Sequence, residues 1–209
     1  TLQTFGADPR NGLGGKLGFT AVLHTWDQQL RQHVHLHCLV PGGVLAPDRA
    51  SWIHARRGFL FPVQALAKVF RGKFIAALKQ AFADEKLQFS GAAAPLGTPD
   101  GFDQLIRRLW NKPWIVYAKR PFAGPTTVLD YLGRYTHRVA ISNHRIIRIH
   151  DGAVSFSYRD RSDENRKKTC TLAASEFIRR FLLHVLPTGY VRIRHFGLLS
   201  SRAKIGRAH

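Results

Sequence analysis

Acidic residues are scarce in this chain. Only 13 Asp+Glu stand against 32 Lys+Arg, with 11 His besides, and the formal charge is +19. Such a surplus repels itself unless a polyanion neutralises it. Nucleic acid is the expected partner, through phosphate neutralisation and counterion release; an anionic membrane surface is the blander one. The basic residues are interspersed with apolar ones along the whole chain, which excludes a basic tail on a neutral domain. There is no apolar run long enough for a transmembrane helix and no signal-peptide pattern. Cysteine is rare: Cys38 and Cys170 give neither a disulfide framework nor a CxxC zinc knuckle. That usage fits a reducing cytoplasm. Methionine is missing and the chain begins at Thr1, so a segment of a longer protein is expected. No GxxxxGK[ST] occurs, and Leu17 stands where a GxGxxG pattern starting at Gly12 needs glycine. The glycines near the start therefore read as turn formers, with no sign of ATP use.

What is present is enough for one sizeable core with a small annex: 209 residues, 44% of them hydrophobic. Residues 1–16 are expected to be irregular, 17–200 to form the core, and 201–209 to be a basic C-terminal tail. Strands are expected at 17–24 and 34–40, a helix at 63–84, a loop at 90–101 and a short helix at 102–110. Trp114 to Tyr117 reads as a strand, and Gly124-Pro125 opens a second long helix. Arg145 to Ile149 and Val154 to Tyr158 flank Asp151-Gly152, a hairpin signal. A strand near 168–172, a helix near 175–185 and a strand at 190–195 complete the order. The mixture predicts an α+β fold, with the 34–40 strand central in an antiparallel sheet and helices packed on it, the one opened at Gly124-Pro125 among them.

Two stretches carry chemistry. The first is His33-Val34-His35-Leu36-His37-Cys38. On a strand, alternate side chains share a face, so His35 and His37 point the same way. If the first two strands form an antiparallel hairpin with His24 opposite His35, then Val22 lies opposite His37. Opposed residues sit ~5 Å apart at Cβ, so His24, His35 and His37 can converge on one divalent ion. Three imidazoles leave coordination positions for water and substrate oxygens. His33 is a rival third ligand, and Gln28 and Gln32 are weaker ones. A lone strand histidine is usually an ordinary polar residue; three alternating ones in five positions are harder to explain that way.

The second stretch is Tyr131-Leu132-Gly133-Arg134-Tyr135. On a helix Tyr131 and Tyr135 share a face at i and i+4. A free phenol with a pKa near ~10 is a poor nucleophile at neutral pH. It needs a metal-polarised phosphate, a cation or a base beside it. Arg134, His137 and Arg138 are near in sequence. Yet Val128, Tyr131 and Tyr135 also make an ordinary apolar stripe, and the pair gains weight only beside the histidines. Together with the basic charge, the two stretches predict an enzyme that cuts DNA through a tyrosine.

The stretches Leu23-His24-Thr25-Trp26 and His33 to Gly43 resemble the HUH-motif region of rolling-circle transposases. The nearest group is the two-tyrosine transposases of bacterial insertion sequences, the IS-ninety-one family. Tyr131 to Ser142 is similar to that family's tyrosine motif, and so are Phe177 to Pro187 and Val191 to Gly197. The resemblance implies Mg²⁺ or Mn²⁺ on His35 and His37, with His24 as third ligand by analogy to relaxases. It implies Tyr131 and Tyr135 as nucleophiles on single-stranded DNA, with a 5′-phosphotyrosine link and a freed 3′-hydroxyl. Such proteins usually carry a Cys-rich zinc-binding region ahead of the catalytic core, and this chain has none. Arg134, Arg138, Arg145, Arg148, Arg192 and Arg194 are the expected DNA contacts. The alternatives are a metal-dependent hydrolase built on the three histidines and a catalytically inactive DNA-binding remnant.

Overall fold

The computed structural model describes residues 1–203 apart from 57, 59, 123 and 137–139, with 125, 132 and 134–136 described by backbone alone. In chain order the elements are α1 (Leu2–Ala7), β1 (Gly18–Trp26), β2 (Gln32–Leu39), β3 (Gly43–Leu45), β4 (Trp52–His54), α2 (Val63–Ala83) and α3 (Pro99–Asn111). There follow α4 (Pro125–Thr136), β5 (Ile146–His150), β6 (Ala153–Asp160), β7 (Arg166–Ala173), α5 (Ala174–Leu182) and β8 (Ile193–Gly197). The fold is α+β with antiparallel sheets, as the pattern predicts.

The chain forms two compact units: residues 1–17 with 42–121, and residues 18–41 with 122–209. In the first unit α2 and α3 enclose Ile75, Phe102 and Ile106, and the rings of Phe82 and Phe102 stack at 3.8 Å. Thr98 caps α3 by accepting a hydrogen bond from the Gly101 amide, and Pro99 follows it at the first helical position. A short β3–β4 hairpin, turned at Pro47-Asp48, completes this unit. The sequence pattern misses its strands, which are three residues each. It also misses α1, which lies within the 1–16 stretch expected to be irregular.

Trp114 to Tyr117 is the clearest departure. The segment is extended, but it joins no sheet among the described residues. Trp114 instead packs its ring on Phe70 and Phe74, and its indole N–H donates to the Leu109 carbonyl at 2.9 Å. β-propensity reports a fit to a pleated surface, and no neighbouring strand supplies one here.

The second unit holds two three-stranded sheets, in the orders β2-β1-β8 and β5-β6-β7. The histidine strand β2 lies at a sheet edge and not at the centre expected from the sequence; β1, which pairs with both β2 and β8, takes the middle. Asp151 and Gly152 both adopt positive φ, which is what a two-residue turn between β5 and β6 demands. The core of this unit gathers on Phe156 and Leu30, with Ala140 and Ile141 also buried and Trp26, Phe177 and Phe181 packed against them. Leu30 belongs to the β1–β2 turn, so the hairpin that carries the histidines is anchored by its own tip.

Candidate metal centre and tyrosine

The β1–β2 ladder pairs His24 with His35 and Val22 with His37. This register puts three imidazoles on one face of the sheet. Their ring centroids stand 5.5 Å apart for His24 and His35, 4.7 Å for His24 and His37, and 4.8 Å for His35 and His37. One ligand nitrogen from each lies within 4.8 Å of the others. His24 is buried and stacks on Trp26 at 4.8 Å, which fixes its ring. The His35 Nδ1–H donates to the His33 carbonyl at 2.7 Å, which leaves Nε2 with the lone pair. A donor set of three imidazoles, one of them locked in its tautomer, fits a divalent metal.

The rivals for third ligand are placed differently. His33 is exposed, its ring beside that of His35 at 4.8 Å, and it stands outside the three-histidine cluster. Gln28 accepts a hydrogen bond from the Arg159 amide at 2.8 Å through its side-chain oxygen, so that oxygen is committed to β6.

The tip of the hairpin is tied down from several sides. Asp27 accepts from the Gln29 and Arg31 amides and pairs with the Arg31 guanidinium. His184, buried just beyond α5, donates from Nε2 to the Leu30 carbonyl at 3.0 Å and accepts the Thr25 hydroxyl at Nδ1 at 3.1 Å. Arg180 donates to the Gln29 carbonyl. Arg145 donates to the Ser157 and Gln28 carbonyls. Arg145 thus pins the histidine hairpin, a structural duty that a search for phosphate contacts does not anticipate.

Helix α4 brings the tyrosine. The Tyr131 hydroxyl lies 2.9 Å from His37 Nδ1, and its ring rests against Phe122 at 5.0 Å. Tyr135 is one turn further along the same helix, but its side chain, like that of Arg134, lies outside the described residues; so does all of Arg138. Among the other arginines, Arg148 is exposed on β5. Arg194 is also exposed, but it pairs with Ala21 across β1 and β8, which puts it on the sheet face away from His24. On the histidine face the same ladder sets His195 opposite Thr20, whose hydroxyl meets its Nδ1 at 2.9 Å. His195 and His184 were legible only as part of the resembling tail, because the contacts they make join residues 175 and 159 positions apart.

Burial holds the His35 imidazole below the usual histidine value, with His33 and Arg161 adding to the effect and the hydrogen bond to the His33 carbonyl opposing it. A lowered value means that the neutral, ligating form persists to lower pH than in a free histidine. Metal affinity should therefore hold steady above the ordinary histidine value of ~6.5 and fall on further acidification, by about tenfold per pH unit for each proton displaced. Titration calorimetry with Mn²⁺ between pH ~8 and ~5 checks this. An affinity that already falls steeply above pH ~6.5 would contradict this expectation.

A strand hairpin thus presents three imidazoles to a helix-borne tyrosine in a strongly basic chain. A family model described as "Putative transposase" matches residues 18–205, and the chain belongs to that family. It is 52% identical over 202 residues to "Putative transposase y4qJ" of Sinorhizobium fredii, covering 97% of this chain and 50% of that protein. It is 24% identical over 200 residues to "Transposase for insertion sequence element IS801" of Pseudomonas savastanoi pv. phaseolicola, covering 94% of this chain and 46% of that protein. The chain thus spans about half the length of the curated relatives it matches. No solved structure matches it. Among the described residues no helix is long and apolar enough to cross a membrane.

Proposed function

We propose that the chain is the catalytic core of a rolling-circle transposase that nicks and rejoins single-stranded DNA through tyrosine. The observation that carries this reading is the 2.9 Å contact between the Tyr131 hydroxyl and His37 Nδ1, at the edge of the three-histidine cluster. It supports the reading of Tyr131 as the nucleophile, beside the groups that would hold the scissile phosphate. In a hydrolase built on the histidines alone, that tyrosine would have no reason to point there. The catalytic work falls to the second unit.

His24, His35 and His37 would hold one divalent ion. When bound, the ion polarises the phosphate and stabilises the charge that develops on its oxygens. The all-imidazole donor set favours Mn²⁺ over Mg²⁺, which demands oxygen ligands and dehydrates reluctantly. With Nε2 of His37 as a ligand, Nδ1 would keep its proton and share it with the Tyr131 oxygen in a hydrogen bond. A donor there favours the phenolate over the phenol, whose own proton passes to water. The Tyr131 oxygen then attacks phosphorus, an O–P bond forms, and the bond to the 3′-oxygen breaks. The departing 3′-oxygen takes a proton from water and leaves as a free hydroxyl, while the 5′-phosphate stays on tyrosine. Tyr135 is assigned the second, alternating transfer. Arg134, Arg138, Arg145, Arg148, Arg192 and Arg194 are the assigned phosphate contacts, with Arg194 on the sheet face away from the histidines. The reaction belongs in the cytoplasm, where the DNA is.

The ends of the cut strand test the reading. With Mn²⁺ and a labelled oligonucleotide spanning an element end, the 3′ fragment of the nick should resist 5′-end labelling until the protein is digested. The 5′ fragment should be extendable by a polymerase. Ends that label freely without protease would show that water, not tyrosine, is the attacking group.

A further inference from the structure

The first unit carries a surface that the histidine–tyrosine site does not use. Helix α3 ends at Asn111, and the chain then runs extended through Tyr117 to Arg120. Exposure alternates along this run: Trp114 and Val116 turn inward, while Ile115 is 88% and Tyr117 79% exposed. Trp110, at the end of α3, is 49% exposed, with the Arg71 guanidinium 4.7 Å from its ring centroid and hydrogen-bonded to its carbonyl. Lys119 and Arg120 are exposed at the far end.

Two features make this more than a stray apolar patch. The first is charge: no Asp or Glu occurs between Asp48 and Asp84, the stretch containing α2, nor between Asp103 and Asp130, the stretch containing this run. The second is that cations flank the exposed rings: Arg71 lies over Trp110, and Lys119 and Arg120 follow Tyr117, while the apolar residues between the rings alternate between inward-facing Trp114 and Val116 and exposed Ile115. A protein partner would be met by a more continuous apolar patch with fewer charges at its centre. Exposed aromatics along a basic, acid-free track match single-stranded nucleic acid, whose bases stack on rings while phosphates meet the cations.

We propose that the run from Trp110 to Arg120 binds single-stranded DNA, with Tyr117 and Trp110 as stacking platforms and Arg71, Lys119 and Arg120 as phosphate contacts. The proposal rests on the transposase reading for its choice of DNA, and it adds a binding track in the unit that lacks the catalytic groups. Duplex DNA gains nothing from the platforms, because its bases are already stacked.

Fluorescence anisotropy with a labelled oligothymidylate and with a duplex of the same length tests it. Tyr117→Ala should weaken single-strand binding roughly 5- to 150-fold, as expected for the loss of one stacked base, with an unchanged salt slope and unchanged duplex binding. Tyr117→Phe keeps the ring and should bind like the wild type. The double change Lys119→Ala, Arg120→Ala should reduce the single-strand salt slope by about 1.4. Tyr117 is largely exposed, so its replacement leaves the fold intact. Tyr117→Ala with wild-type affinity, in a protein that does bind the oligonucleotide, overturns this inference and leaves the catalytic reading standing. A wild-type protein that binds no single-stranded DNA overturns both.

Discussion

Incubated with Mn²⁺ and a single-stranded oligonucleotide spanning an element end, the wild-type protein should form an adduct that survives denaturing electrophoresis. The double variant Tyr131→Phe, Tyr135→Phe should form none. A phosphotyrosine diester is covalent, so unfolding does not release it. Each substitution removes one hydroxyl and keeps the ring, so packing changes little. Tyr131 sits against Phe122, a contact the phenylalanine retains. The loss is thus a loss of chemistry, at least on the order of 10³-fold in nicking, the scale on which a nucleophile's removal is read. Tyr131→Phe alone should cost the larger share, because its hydroxyl already lies at His37. Tyr135→Phe alone should leave the first nick and impair rejoining. An adduct that persists in the double variant would shift attention to Tyr158, the remaining tyrosine on the β-sheets of the second unit.

The second large effect concerns the metal. Calorimetry should show one Mn²⁺ site in the wild type and none in His35→Ala, His37→Ala. Two of three ligands vanish while the partly exposed edge strand that carries them keeps its backbone pairing. His24→Ala should weaken binding as well, by at least 10-fold, but it also removes a buried ring from the stack on Trp26. A companion thermal melt without metal separates the two contributions. His33→Ala should leave affinity within about twofold, since its ring stands outside the cluster. Should His33→Ala weaken binding more than His24→Ala does, the ligand set would be wrong, because His33 would then have displaced His24.

The histidine centre was legible because it is local. His24, His35 and His37 lie on two strands joined by a short turn, and parity plus one assumed pairing was enough to set their faces. The same parity rule, applied to Arg192 and Arg194, yields a shared face but not which face. Only the pairing of Arg194 with Ala21 reveals that it is turned away from the histidines. Tyr131 was legible as a residue and not as a position: its contact with His37 spans 94 residues, and nothing in the helical stripe says what the helix packs on. Arg145 shows a duty that composition does not contain. A lone arginine in a basic chain reads as a phosphate contact, and this one also holds the turn that carries the histidines. Trp114 to Tyr117 has the composition of a strand, and its burial pattern alternates as a strand's does; what it lacks among the described residues is a partner strand, a tertiary fact that propensity does not contain.

The central claim is that a tyrosine of α4 becomes joined to DNA at the three-histidine centre. Mass spectrometry of the trapped adduct after trypsin addresses it most directly, since cleavage after Arg134 separates Tyr131 from Tyr135. The nucleotide mass should appear on the peptide containing Tyr131 when Mn²⁺ is present and be missing when the metal is chelated. A nucleotide found on any residue outside α4, or an adduct formed equally well under chelation, would contradict the account.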